Sequence, residues 1–246
     1  MPFITNRGQR IHYTVEGQGP LVVFQHGLLS NAASWKACGF VDALADKYCV
    51  ACIDSLGHGL SDKPSDPQLY SQQQRSGDMV AVMDALGYDR AHIIGYSMGG
   101  WLCVGAAKYH PQRLSSLVIG GWDVVNGMTL TMPPGIAKLD GLELLLKVVK
   151  ETVPELVEWI TPDALPGLRA CWDALYQLEG AEAAVLGAGL PVLLWNGCED
   201  LYYGSMQTFA AANNLQFLSV QGDHIKAITT YGSESAHGIR AFLDTV

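Results

Sequence analysis

Short β-branched runs alternate along this 246-residue chain with longer segments of helical spacing, and that alternation restricts the fold more than any other feature of the sequence. It is the signature of βαβ units, so it predicts an α/β domain on a mainly parallel sheet flanked by helices. Phe3–Thr5 and Arg10–Glu16 read as an opening strand pair joined by the Asn6-Arg7-Gly8 turn. Leu21–Gln25, Tyr48–Ile53, Ala91–Gly95, Leu114–Ile119, Leu190–Asn196 and Gln216–Val220 follow, which makes an eight-stranded sheet. Helical patterns fill Ser34–Lys47, Ser71–Leu86, Met98–Tyr109, Gly204–Asn213 and Ser233–Asp244, each bounded by Gly, Pro or Asn.

One connection breaks the rhythm. Trp122 to Gly189, between the sixth and seventh strands, is far longer than a single crossover helix requires. Its first part, about 122–166, carries Pro133, Pro134, Pro154, Pro162 and Pro166 around the apolar stretches Leu139–Val149 and Leu156–Ile160. This predicts a small helical cap, with an elaborated crossover as the alternative. Gly167–Leu186 reads as the crossover helix that returns to the sheet. The chain is too short for two full-sized domains, so one domain with an insertion is expected. Hydrophobic residues make up 49% of it and charged residues 16%, enough apolar material to cover both faces of a parallel sheet.

A formal net charge of −9 leaves no basic stripe for a phosphate backbone and argues against a nucleic-acid partner. No apolar run reaches 18 residues, so no membrane span is expected, and the N-terminal residues show no cationic start or apolar leader. Cys38, Cys49, Cys52, Cys103, Cys171 and Cys198 are scattered. Cys49 and Cys52 have CxxC spacing, but alternation within their strand aims the two thiols at opposite faces. Six reduced thiols are therefore expected, which favours the cytoplasm, and neither a metal site nor an organic cofactor is implied. Oligomeric state is not readable.

Gly95-Tyr96-Ser97-Met98-Gly99 matches Gly-x-Ser-x-Gly, in which glycines let a strand turn sharply into a helix while the serine points outward. The pattern alone is weak; its setting is not. Ala91–Ile94 before it reads as a short buried strand, and Trp101–Ala107 after it as a small-residue helix, which puts Ser97 at a helix N-terminus. Three further segments occur in order: His26-Gly27 after the third strand, Asp54-Ser55-Leu56-Gly57-His58-Gly59-Leu60-Ser61 after the fourth, and Gly197-Cys198-Glu199-Asp200 followed by Asp223-His224 after the seventh and eighth. On these four segments the chain resembles the α/β-hydrolase superfamily over essentially its full length.

The resemblance implies site residues. Serine needs a positioned base, and imidazole suits the task. Of seven histidines, His12 and His92 lie in predicted strands, His110 ends a helix and His237 lies within one. His26 and His58 belong to motifs that support loops in the family, and His224 stands where the family places its general base. The third group points to Asp200, with Glu199, Asp223 and Asp123 as rivals. The oxyanion donors implied are the backbone amides of Leu28 and Met98, with Leu29 replacing Leu28 if the loop register differs by one. The Asp54–Ser61 segment is expected to buttress that loop. Trp122, Trp159 and Leu145 are candidates for an apolar substrate site, against the alternative that these residues, with Trp172, are core.

The resemblance thus implies a serine hydrolase acting on a small, largely apolar carboxylic ester, thioester or lactone. A lyase or carbon–carbon bond-cleaving enzyme is the first alternative. Some menaquinone-pathway enzymes share this elbow but follow it with an arginine, where this chain has Trp101, and carbon–carbon hydrolases favour a Gly-Asn-Ser elbow. A cofactor-free haloperoxidase activity and a slowly turning-over ligand receptor complete the alternatives.

Overall fold

The computed structural model describes residues 2–130 and 138–246. Eight strands form one sheet: β1 (Phe3–Asn6), β2 (Gln9–Glu16), β3 (Leu21–Gln25), β4 (Cys49–Ile53), β5 (Ala91–Tyr96), β6 (Leu114–Gly120), β7 (Val192–Gly197) and β8 (Gln216–Val220). Their order is β1-β2-β4-β3-β5-β6-β7-β8. The pairs β1/β2 and β2/β4 are antiparallel, and every pair from β4/β3 to β7/β8 is parallel. Because β3 to β8 run in one direction, their carboxyl ends share one edge. The loops leaving β3, β5, β7 and β8 therefore meet there, as is general for ligand sites in open α/β sheets.

Alternation along each central strand feeds two cores. Val23, Ile93 and Leu194 pack on one face; Val22, Phe24 and Ile94 pack on the other. Cys49 belongs to the first core and Cys52 to the second, so the CxxC spacing joins nothing. All six cysteines are free thiols.

The helices are α1 (Ala33–Ala37), α2 (Phe40–Leu44), α3 (Gln72–Leu86), α4 (Met98–Tyr109), α5 (Lys138–Thr152), α6 (Leu165–Ala174), α7 (Ala181–Gly187), α8 (Tyr203–Ala212) and α9 (Gly232–Leu243). Two expectations change. The single helix expected over Ser34–Lys47 is split into α1 and α2, because Gly39 takes φ +84°, a left-handed conformation that ends one helix and starts the next. The crossover helix expected over Gly167–Leu186 is likewise split into α6 and α7 by residues 175–180, the last of which, Gly180, takes φ +71° and opens α7. Two hydrogen bonds tie that break to α4: the Trp101 indole donates to the Gln177 carbonyl and Lys108 to that of Glu179.

Between β6 and β7, ahead of that crossover, α5 and two short 3-10 turns (Pro154–Leu156 and Pro162–Ala164) form a helical cap, with α5 packed on α6. Pro133 and Pro134 lie outside the described residues. No helix among the described residues is long and apolar enough to cross a membrane.

Candidate active site

Ser97 sits between β5 and α4 with φ +57° and ψ −116°, a sparsely populated conformation whose cost is about 1–3 kcal/mol. The surroundings hold it there. Its N–H donates to the Gly120 carbonyl at 2.8 Å, and its carbonyl accepts from the Trp101 N–H at 3.1 Å. A Cβ at Gly95 would collide with the Gly99 carbonyl, and one at Gly99 with the Gln25 carbonyl of β3. Only glycines let the strand, the turn and the helix approach this closely, so the local sequence and the strained serine belong together.

The turn after β7 carries Asp200, and the loop after β8 carries His224. The Asp200 carboxylate is buried and fully engaged: Oδ2 accepts from His224 Nδ1 at 2.8 Å and from the Asn196 amide at 3.4 Å, and Oδ1 accepts from the Tyr202 N–H at 3.0 Å. A neutral ring that donates from Nδ1 leaves Nε2 as its lone-pair nitrogen. The backbone of His224 is held too, since the Tyr96 hydroxyl donates to its carbonyl at 2.7 Å. Tyr96 and Tyr202 place their rings 5.1 Å and 5.8 Å from the imidazole. Burial by itself would push His224 down, but the charge and hydrogen bond of Asp200, helped by Asp223, outweigh it and raise its pKa above the ordinary histidine value. Burial works in the opposite sense on Asp200, where His224 and the hydrogen-bond donors prevail and hold the carboxyl below its usual range.

Ser97 and His224 line one cavity of about 90 Å³. Its walls are otherwise mainly apolar: Leu28 and Leu29 from the loop after β3, Leu145 and Val149 from α5, Leu156 from the following turn, and Ile225 and Ile228 beyond the histidine. Among the described residues, His224 is the histidine lining this cavity.

The loop after β3 is fastened by two buried imidazoles. Ser55 donates its N–H to His26 Nε2 at 3.1 Å, which makes Nδ1 the protonated nitrogen, and Nδ1 donates to the Gly27 carbonyl at 2.8 Å. His58 Nε2 meets the Leu28 carbonyl at 2.5 Å. Burial pushes His26 down to about 4 and holds His58 well below its ordinary value, so both act as neutral braces. Asp54 holds the far side, accepting from the Ala32 and Leu60 N–H groups and pairing with His12 at 2.7 Å. Among the described residues neither the Leu28 nor the Met98 backbone N–H has a hydrogen-bond acceptor. Met98 opens α4, where orphan donors and the helix dipole favour negative charge.

The rival acids are occupied elsewhere. Asp123, fully buried after β6, accepts from the Val125 and Asn126 N–H groups and the Asn126 amide, and so caps its own turn. Asp223 caps the next turn through the Ile225 and Lys226 N–H groups and pairs with Lys226, and Glu199 is exposed.

Of the three candidate substrate contacts, Leu145 lines the cavity. Trp122 does not: it is 1% exposed and belongs to the core, with its Cβ against Gly100 of α4 and its ring 6.4 Å from that of Tyr202. Trp159 is also absent from the lining. Its indole donates to the Leu29 carbonyl at 3.2 Å and its ring lies 5.3 Å from His58, so it braces the loop. Sequence reasoning missed Tyr96, Asn196 and Tyr202 around the imidazole, and Val149, Leu156, Ile225 and Ile228 around the cavity. Tyr96 had a usable signal, as the residue just before the elbow serine. Among the described residues no group of three His, Cys, Asp or Glu is placed to hold a metal ion.

A family model for the alpha/beta hydrolase fold matches residues 20–153. A putative 2-succinyl-6-hydroxy-2,4-cyclohexadiene-1-carboxylate synthase from Bacillus subtilis is 29% identical over 167 residues, 66% of this chain and 55% of that protein. The chain thus spans about half the length of that curated relative, and less of several others it matches. Among solved structures, the enol-lactonase from Burkholderia xenovorans LB400 superposes with a TM-score of 0.78 at 21% identity, covering 99% of this chain and all of that one. Est816, described as an N-acyl homoserine lactone degrading enzyme, gives 0.72 at 26% identity, covering 98% of this chain and 100% of its own.

Proposed function

This chain belongs to the α/β-hydrolase fold family, and from that premise we propose that it is a serine hydrolase that cleaves a carboxylic ester, thioester or lactone of a small, largely apolar substrate. One observation carries the reading: a strained outward serine and an imidazole bonded to a buried carboxylate line a single apolar cavity.

In the proposed reaction His224 Nε2 takes the Ser97 hydroxyl proton as Oγ attacks the substrate carbonyl carbon. Asp200 holds the ring and stabilises the imidazolium that forms. Negative charge develops on the former carbonyl oxygen, where the Leu28 and Met98 N–H groups are available to it. The tetrahedral species collapses, His224 hands its proton to the departing alkoxide or thiolate, and an acyl-enzyme remains. Water, deprotonated by His224, then attacks the acyl carbon and releases the acid and Ser97. The cytoplasmic setting expected from the free thiols accords with this chemistry.

The Bacillus relative is by name a synthase of a dicarboxylate, which favours a lyase as the second reading. The cavity speaks against it. A polyanionic substrate asks for cationic side chains, and among the described residues none lines the cavity; Trp101, after the elbow, is fully buried. A panel of p-nitrophenyl esters of increasing acyl length, run beside a γ-lactone and an acyl thioester, tests the proposal. Turnover with a burst of p-nitrophenol is expected; no turnover of any member overturns it.

A further inference from the structure

One charge in the interior has no part in the site as described above. Arg75, in the first turn of α3, is 2% exposed. Its Nη2 donates to the Met98 thioether at 3.1 Å, and the guanidinium carbon stands 5.8 Å from the centre of the Trp101 ring. Nε and Nη1 are buried and have no partner among the described residues. No carboxylate bonds to the guanidinium, although Asp78 lies within reach of its field. Asp78, one turn further along α3, is taken by Arg7 at 3.0 Å and by Asn6 at 2.8 Å. Asp54 is consumed by His12 and two backbone N–H groups.

A guanidinium does not give up its proton, and a thioether is a weak acceptor. The molecule therefore keeps in apolar packing a cation that no carboxylate bonds, where a methionine or leucine would fill the space at lower cost. An interior charge that no carboxylate bonds exerts its field on what surrounds it, because little solvent screens it. What surrounds Arg75 is the elbow and the loop after β3. It touches Met98 directly, and its positive field is one of the influences that keep His26 and His58 neutral, the rings that hold the Gly27 and Leu28 carbonyls.

We propose that Arg75 is a positioning residue of the reaction, a buried cation behind the oxyanion site that favours negative charge on the substrate oxygen and steadies Met98 beneath it. The inference rests on the serine-hydrolase reading. It predicts that charge at position 75 matters more than shape. A unit charge acting over roughly 10 Å at the effective screening of a protein interior changes a rate by about 10–20-fold.

The test compares Arg75→Lys, which keeps the charge, with Arg75→Met and Arg75→Gln, which fill the space without it. kcat and KM are measured on the best ester of the panel, with inhibition by an alkyl boronic acid, whose serine adduct is a tetrahedral anion. Both neutral variants are expected to lose about 10–20-fold in kcat with KM nearly unchanged, and to bind the boronic acid more weakly by a similar factor. The lysine variant should stay within about threefold of the parent. Two results overturn the proposal: a neutral variant that keeps full kcat, or a lysine variant that falls as far as the methionine one. Fluorophosphonate labelling of the parent at Ser97 separates the two readings. Labelled parent with unaffected neutral variants removes the role of Arg75 alone; a parent neither labelled nor inhibited removes the hydrolase reading and the proposal with it.

Discussion

The carboxyl edge of the sheet and the cap above it meet in one cavity but are held by different forces. At the sheet edge, Ser97, Asp200 and His224 are fixed by directional bonds: the Ser97 N–H on Gly120, three donors on the Asp200 carboxylate, and a hydroxyl on the His224 carbonyl. The cap approaches the cavity through the apolar side chains of Leu145, Val149 and Leu156, and the Trp159 indole reaches down to the loop. Directional bonds fail when a group moves by a fraction of an ångström, whereas apolar contacts give way gradually. Substitutions at the edge should therefore cost orders of magnitude in rate, and substitutions in the cap should redistribute substrates by small factors.

The largest effect expected is at the elbow. Ser97→Ala should abolish fluorophosphonate labelling and lower ester turnover by about 10⁴–10⁶-fold, the scale seen for nucleophilic serines. Labelling that persists at another serine would move the chemistry away from the edge altogether.

Asp200→Asn comes next, with a loss on the order of 10⁴ in kcat because the ring is left in the wrong tautomer. Asp123→Asn should leave kcat within a few-fold, since that carboxylate caps its own turn. The pH profile carries a sign. As the proposed base His224 would act only when neutral, and its pKa is raised because Asp200 outweighs burial, so the parent should gain activity as pH rises through a limb above the ordinary histidine value. With the carboxylate gone, burial is left pushing the ring down, and the limb of the residual activity should shift to lower pH. A limb that moves up, or one that Asp123→Asn moves instead, would assign the acid elsewhere.

In the cap the effects are smaller. An apolar wall that grips an acyl chain contributes roughly 0.8 kcal/mol per buried methylene, so kcat/KM should rise about three- to fourfold per carbon until the cavity is full. Leu145→Ala should lengthen the preferred chain while changing acetyl turnover little. Thermal melting measured alongside separates this from packing: loss of stability with an unchanged length profile would make Leu145 core.

The smallest effect expected is for Trp159→Phe, which keeps the ring beside His58 and removes one hydrogen bond to the Leu29 carbonyl. A rate loss of about two- to fivefold, equal across acyl lengths, would mark Trp159 as a brace of the loop. A loss confined to long chains would return it to the substrate site.

The primary structure determined the fold class because its causes are local and periodic. Apolar runs of strand length, glycines at turns and helical spacing between them are written in adjacent residues, so the eight strands and the Ser97 elbow are legible in the sequence. Where a boundary hung on one backbone torsion it was not legible: Gly39 and Gly180 each cut an expected helix in two. The order of Ser97, Asp200 and His224 along the chain nominated them, but nothing local distinguished Asp200 from Asp123. The tertiary structure sets them apart, turning one carboxylate onto the imidazole and the other onto its own turn. Trp122 and Trp159 were equally ambiguous, since an indole suits a core, a brace or a pocket, and only packing says which. Tyr96 reaches the His224 carbonyl across 128 residues of chain, and Arg75 meets Met98 across 23. Contacts of that kind have no periodicity to announce them, because they arise only when the parallel strands bring their carboxyl ends to one edge.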